Sequence, residues 1–179
     1  EFAIMGSIYV KEIYNIDKPT VGLLSVGEED TKGNDVSKTA FSMLKDANIN
    51  FFGNVEGRDI TKGTVNVVVC DGFVGNIVLK FGEGIYALLK SMFSKAAKSN
   101  PLLIPALLLV KFFVRKEYKK FDYQTYGGVP LLGVNGVSII GHGSSSAKAI
   151  KNMILRAYEM YQKDITGKIE KGLMEYINK

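Results

Sequence analysis

The sequence predicts an α/β fold, and three observations carry that prediction. Val65 to Val69 reads VNVVV, a β-branched run typical of strands buried on both faces of a parallel sheet. The run stops at Asp71-Gly72, and apolar residues at helical spacing follow in Ile77, Val78, Leu79, Phe81 and Ile85. Strand-like and helix-like segments alternate along the chain, as in α/β domains. Its 179 residues are about one domain's length, and 46% apolar content is enough for a core.

The elements follow in order. Val21 to Val26 reads as a strand. Asn34 is placed to cap a helix with Val36, Ala40, Met43, Leu44 and Ala47 at helical spacing. Asn50 to Phe52 is a short strand, and Gly53 to Gly63 a glycine-punctuated loop. The strand Val65 to Cys70 leads to a helix from about Asn76 to Lys98. Leu131–Val134 and Val137–Ile140 flank Asn135-Gly136, a strong hairpin signal. Ser145 to Lys163 reads as a helix with Ala147, Ile150, Ile154, Ala157 and Tyr161 on one face. Lys168 to Asn178 reads as a short helix, with Ile169, Leu173 and Ile177 in register. No internal repeat is present, and no linker is long enough to mark a second domain.

Charge and cysteine content narrow the functional classes. One cysteine and no signal-like amino terminus point to a reducing, cytoplasmic setting. The formal charge is +5, yet residues 90–120 hold eight bases and one acid, so that segment carries +7 and the remainder −2. Nucleic-acid binders spread basic residues over a wider face. With no RNA-binding aromatic motif either, no nucleic-acid partner is expected.

Chemistry-bearing residues cluster at predicted strand ends, where open α/β sheets place their ligands. Asp71, Gly72, Phe73, Gly75 and Asn76 end the valine strand, although DG is also a common turn dipeptide. Lys80 lies one helical turn past Asn76, so a phosphate, an oxyanion or Asp71 is within its compass; a solvated lysine fits equally. Lys32, Gly33 and Asn34 combine a cation, a glycine and a capping amide. Glu28, Glu29, Glu56, Arg58 and Asp59 occupy glycine-rich loops beside them. Gly141-His142-Gly143-Ser144-Ser145-Ser146 joins a strand to a helix, offering free amides and hydroxyls to an anion, or a plain serine cap. Cys70 sits among valines and reads as a small apolar residue rather than a nucleophile.

Leu102 to Val110 reads LLIPALLLV without a charge, too short to cross a bilayer unaided. Pro101 and Pro105 suit a turn and a helix start. Flanking lysines make Leu102, Leu103, Ile104, Leu107 and Leu108 candidates for interfacial contact with anionic lipid. Packing against a second subunit is the rival reading.

DGFVGN followed by IVLK resembles the acyl-ACP:phosphate acyltransferases of bacterial phospholipid synthesis. VGLLSVGEEDTKGN (residues 21–34), FGNVEGRD (52–59), Tyr126-Gly127-Gly128 and Gly141 to Ser145 occur in that family's order, and the likeness runs from Met5-Gly6 to about Leu173. The family's opening DAMGGD-type motif has no counterpart, so the chain resembles the C-terminal half of such an enzyme. The resemblance implies a three-layer α/β/α architecture like that of isocitrate and isopropylmalate dehydrogenases. Residues 1–179 would be the C-terminal part of one domain, with a protruding helical hairpin at 84–122.

It also implies attack of inorganic phosphate on an acyl-ACP thioester, with Asp71, Asn76, Lys80 and His142 catalytic. Lys32, Gly33, Asn34, Gly72, Phe73, Gly75, Gly143, Ser144 and Ser145 would bind substrate or phosphate. His142, the sole histidine, is expected to hydrogen bond rather than transfer protons. No metal or nucleotide cofactor is implied. Expected partners are acyl carrier protein, a second copy in a homodimer, and a downstream acyltransferase at the inner face of the cell membrane, with which the protein would associate peripherally. The basic segment is also a possible dock for the acidic carrier. Alternatives are a phosphotransacetylase-like enzyme using acyl-CoA and an inactive membrane-binding fragment.

Overall fold

A three-stranded parallel sheet organises one part of the molecule. The computed structural model describes residues 1–120, 125, 127–143 and 145–177. Strands β1 (Thr20–Leu24), β2 (Asn50–Val55) and β3 (Val67–Val69) pair in the order β2-β1-β3. Leu23 pairs with both Asn54 and Val69, so all three carboxyl ends lie along one sheet edge. β1 is central, and Val21 within it is fully buried. The valine strand is shorter than Val65–Cys70 and forms an edge of this sheet; its three residues are half-buried rather than covered on both faces. β1 stops at Leu24, where Ser25 N donates to Val55 O (2.8 Å), leaving Val26 82% exposed.

Helix α2 (Asp35–Lys45) packs on this sheet and begins at the expected cap: Asn34 Oδ1 accepts from Ser37 N at 2.9 Å. Its buried face is Phe41 and Leu44 with Ala40, packed on Val21, Leu23 and Phe51. Val36 and Met43 are exposed, so the predicted stripe is rotated from the true one. β2 outruns its predicted end through a bulge: Val21 pairs with Phe51 but Gly22 with Gly53, leaving Phe52 as the extra residue. The expected loop at 53–63 therefore contains the end of β2 and a short helix, α3 (Gly57–Lys62).

A second core lies between the chain's first and last helices. α1 (Phe2–Tyr14), which periodicity does not announce, ends at Asn15 in the left-handed region (φ 56°). Met5 and Ile13 pack with Met160, Ile165 and Ile169 of α6 (Ala147–Gln162) and α7 (Ile165–Ile177), with β4 (Val129–Pro130) and β5 (Ile139–Ile140) alongside. β4 and β5 pair antiparallel, but outside the segments predicted to flank Asn135-Gly136. The connection spans 131–138, closed by Leu131 N to Ser138 O (2.9 Å), instead of a two-residue turn. α6 buries Ala149 and Met160, while Ile150, Ile154 and Tyr161 of the predicted apolar face are exposed. α7 begins before Lys168, because fully buried Ile165 already belongs to it.

Tyr126-Gly127-Gly128 has a packing rationale at its glycines. Gly127 has φ 73°, and a Cβ there would strike the α6 backbone at Asn152 and Met153. Tyr126 lies outside the described residues.

α4 (Gly72–Ser99) is 28 residues long and has no buried residue. A 3₁₀ turn (Pro101–Leu103), to which Asn100 contributes a side-chain cap (Leu102 N to Oδ1, 3.2 Å), leads into α5 (Ile104–Lys120). At 1.5 Å per residue, α4 carries this turn about 40 Å from the sheet. By length and composition α4 could cross a membrane, a test that core helices of soluble proteins also pass.

Candidate functional site

The common carboxyl edge brings the loops after β1, β2 and β3 together, as expected where open α/β sheets bind ligands. Side chains knit the first two. Asn54 Nδ2 donates to Glu29 O (2.8 Å). Arg58 reaches Glu28 Oε1 (3.2 Å) and Glu56 Oε2 (3.0 Å), and its pKa is raised first by the hydrogen bond to Glu28 and then by the charge of Glu56. Glu28, Glu29, Glu56 and Arg58 thus brace the edge. Asp59 serves α3 as a cap: its carboxylate accepts from Glu56 N (2.9 Å) and Thr64 Oγ1 (3.2 Å). The Glu56 amide is the main cause holding that carboxyl below its ordinary range; the Thr64 bond and nearby Lys62 assist, against burial.

Gly33 approaches this edge in a conformation, φ 106°, that side chains rarely adopt. A Cβ there would collide with Ser37 Oγ and crowd Ser25 Oγ. Lys32 is exposed beside it, and Asn34 is occupied as the α2 cap. Behind the loop, Ser25 Oγ and Asn54 Oδ1 are buried without a hydrogen-bond partner among the described residues. Asn54, 3% exposed, is a polar residue that sequence periodicity did not single out as a site candidate. Its place next to a strand end, within FGNVEG, is the signal that was available.

The DGFVGN segment differs from its predicted form. The helix starts at Gly72, not Asn76, and Asp71 is its N-cap, with Oδ1 accepting from Val74 N (2.9 Å). Gly72, Phe73, Gly75 and Asn76 therefore lie in the first turns of α4 rather than in a loop. Phe73 is 77% exposed. A Cβ on Gly75 would sit 3.2 Å from Cys70 Sγ, so this glycine lets strand end and helix start pack closely. Burial, and then the charge of Asp71, push the Cys70 thiol up, which disfavours the thiolate a nucleophile needs.

Asn76, Lys80 and Glu83 recur at helical spacing along one stripe of α4. Lys80 Nζ pairs with Glu83 Oε2 at 2.8 Å, not with Asp71. The Glu83 carboxyl is held below its ordinary range chiefly by Lys80, with a further contribution from the charge of His142. His142 itself is exposed, in the Gly-His-Gly loop that follows β5. In that loop, Ser145 N and Oγ both donate to His142 O (3.0 and 2.6 Å), so the Ser145 hydroxyl hydrogen is engaged. Ser146 caps α6 by accepting from Ala149 N (3.3 Å). Gly143 is exposed, and Ser144 lies outside the described residues.

Leu102, Leu103, Ile104 and Leu108 are exposed at the far end of α4, Leu102 at 86%, and Leu107 is half-buried. A cavity of about 370 Å³, lined by Leu131 to Gly136 with Met160, Ile165, Ile169 and Leu173, includes none of the motif residues. Among the described residues no group of His, Cys, Asp or Glu is arranged to hold a metal ion.

Comparison with known proteins gives this arrangement a context. The chain is 52% identical to a phosphate acyltransferase from Halothermothrix orenii, with 97% of the chain and 52% of the relative aligned. It is 50% identical to one from Nitratiruptor sp. (98% and 52%) and 45% identical to one from Endomicrobium trichonymphae (100% and 53%). The chain therefore spans about half the length of the curated relatives it matches. Residues 1–168 match the family model described as fatty acid synthesis protein, and the chain belongs to that family.

Proposed function

We propose that the intact protein is a phosphate acyltransferase, making acyl phosphate from acyl-ACP and inorganic phosphate for phospholipid synthesis. The observation that carries this reading is the shared carboxyl edge, where the Lys32-Gly33-Asn34 loop and the start of α4 follow parallel strands. A phosphate oxygen attacks the thioester carbonyl, forming a C–O bond. The tetrahedral oxyanion collapses, the C–S bond breaks, and the thiolate takes up the proton phosphate gives up. Phosphate is already a nucleophile and thiolate a good leaving group, so holding and aligning the reactants supplies most of the catalysis. The first amides of α4 and α2 offer positive potential to phosphate. Lys80 supplies a cation, with Asn76 and His142 as hydrogen-bonding groups near the carbonyl; Asp71 acts by fixing the helix start.

The exposed apolar faces of α4 and α6 suit contacts with the rest of a three-layer α/β/α domain and with a second subunit, in a homodimer. The exposed leucines after α4, with Lys95 and Lys98 at the end of that helix, suit a helical hairpin that touches the inner face of the membrane. There the acyl phosphate would pass to a membrane acyltransferase. Acyl carrier protein is the expected donor, in a cytoplasmic, peripherally membrane-associated enzyme.

Phosphate-dependent disappearance of acyl-ACP, followed with purified intact protein, tests the reading; consumption that ignores phosphate refutes it. Preferential use of acyl-CoA in direct competition would favour a phosphotransacetylase-like enzyme. Vesicle binding by the 179-residue chain without turnover would mark this piece alone as a membrane-binding module.

A further inference from the structure

Asn54 occupies a place where an apolar side chain would cost less. It is 3% exposed in β2, beside fully buried Val55, and its Oδ1 has no hydrogen-bond partner among the described residues. A buried acceptor left unbonded is a loss that a leucine, with the same branching, would not incur. Among the described residues the other buried polar side chain is Asp59, which caps α3. Asn54 instead uses its remaining polar group to cross to another loop. Nδ2 donates to Glu29 O at 2.8 Å, and the same carbonyl accepts Lys32 N at 3.0 Å. One oxygen therefore closes the turn from Glu29 to Lys32 and ties that turn to β2. Gly33, packed on Ser25 Oγ and Ser37 Oγ, and Asn34, the α2 cap, follow at once.

Two ion pairs also hold this loop, Glu28 to Arg58 (3.2 Å) and Asp30 to Lys45 (2.6 Å). All four side chains are more than half exposed, so water and salt weaken both pairs. The Asn54 bond is partly buried and keeps more of its strength.

Resting on the acyltransferase reading, we propose that Asn54 is a positioning residue for phosphate: by holding the Glu29 carbonyl it sets the turn that presents Lys32, Gly33 and the first amides of α2 to the anion. Asn54 touches no substrate, since its polar atoms lie behind the loop; it acts through the Glu29–Lys32 turn.

Asn54→Leu in the intact protein tests this in two arms. In turnover of acyl-ACP, the KM for phosphate rises about fivefold to tenfold, the factor that the loss of one hydrogen bond corresponds to. The KM for acyl-ACP stays within about twofold of the parent. Asn54→Leu/Lys32→Ala loses less than the two single variants combined, because one residue acts partly through the other. In amide hydrogen exchange, the Lys32 N–H exchanges at least about fivefold faster than in the parent, because the turn opens more often. A folded Asn54→Leu variant with the parent's phosphate KM, or with both KM values raised in step, overturns the proposal. So do additive losses in the double variant, or unchanged exchange at Lys32. Should Asn54→Leu fail to fold, Asn54→Ser, too short to reach Glu29 O, is read in the same way. A parent without phosphate-dependent turnover refutes the acyltransferase reading instead, and the exchange arm then decides whether Asn54 sets the turn.

Discussion

Asn34 offers a perturbation in which stability and phosphate binding move apart. Its side chain accepts the Ser37 amide at 2.9 Å and so satisfies one of the free donors at the start of α2. Asn34→Ala removes that bond at a cost of about 1 kcal/mol. For a protein of this size the melting temperature falls by about 2–4 °C per kcal/mol. Asn34→Asp keeps the cap, since aspartate accepts the same bond and favours the positive helix end. It also places a negative charge at the helix start proposed to receive phosphate. A dianion about 7 Å from that carboxylate, at an effective dielectric of about 40, is repelled by about 2 kcal/mol, enough to raise the phosphate KM more than tenfold. Thermal unfolding and phosphate saturation curves on the same preparations read both quantities. The expected pattern is crossed: alanine lowers the melting temperature with a modest effect on phosphate, and aspartate does the reverse. Asn34→Asp with a normal phosphate KM would remove this loop from the phosphate site. Asn34→Ala with unchanged stability would show that the cap contributes nothing.

Three further outcomes follow from particular contacts. Gly127→Ala should destabilise the fold by several kcal/mol, since a methyl group there meets α6 backbone at a positive φ; soluble expression with an unshifted urea midpoint would contradict this. Asp59 has a folded-state pKa below its unfolded one, so its contribution to stability is fully present above the ordinary aspartate range and is lost as pH falls through the lowered value. The stability gap between the parent and Asp59→Asn should therefore narrow below about pH 4, and a gap independent of pH counts against the pairing. Leu103→Glu with Leu107→Glu should abolish binding to anionic vesicles while sparing turnover of soluble acyl-ACP; dissociation of a dimer instead would make these leucines packing residues.

What the sequence made legible were local rules with one dominant cause. Asn34 ahead of an apolar helical pattern is a cap because few residue types satisfy that geometry, and the valine run is a strand because β-branching leaves few alternatives. Burial was harder to read. Periodicity on α6 picked out Ile150, Ile154 and Tyr161, yet the described residues leave that face exposed and bury Ala149 and Met160. α1 escaped because FAIMGSIYV is apolar on several sides and Glu1 makes no side-chain cap bond. The sequence pattern places Asp71 at a strand's end, yet it caps a helix, two roles one residue apart in an abrupt strand-to-helix junction. Asn135-Gly136 signals a tight hairpin, but the pairing forms farther out, where Gly128 and Ile139 pack closely.

The clasp between α1 and α7 has a consequence for how the chain is made. Lys168 Nζ reaches Glu12 Oε2 and Lys163 Nζ reaches Glu12 O, both at 2.6 Å, and Ile8 packs against Gly172. These partners are separated by about 150 residues of synthesis. At roughly 5–20 residues per second, α1 waits on the order of 8–30 s at the ribosome before its partner emerges. Through that interval the surface of Met5, Ile8 and Ile13 has no native cover from α7. Contacts so distant in sequence form late, because the loop between them must close first. The nascent protein is thus vulnerable at α1, and a chaperone that shields this helix until α7 arrives would raise the yield of folded protein without altering its final stability.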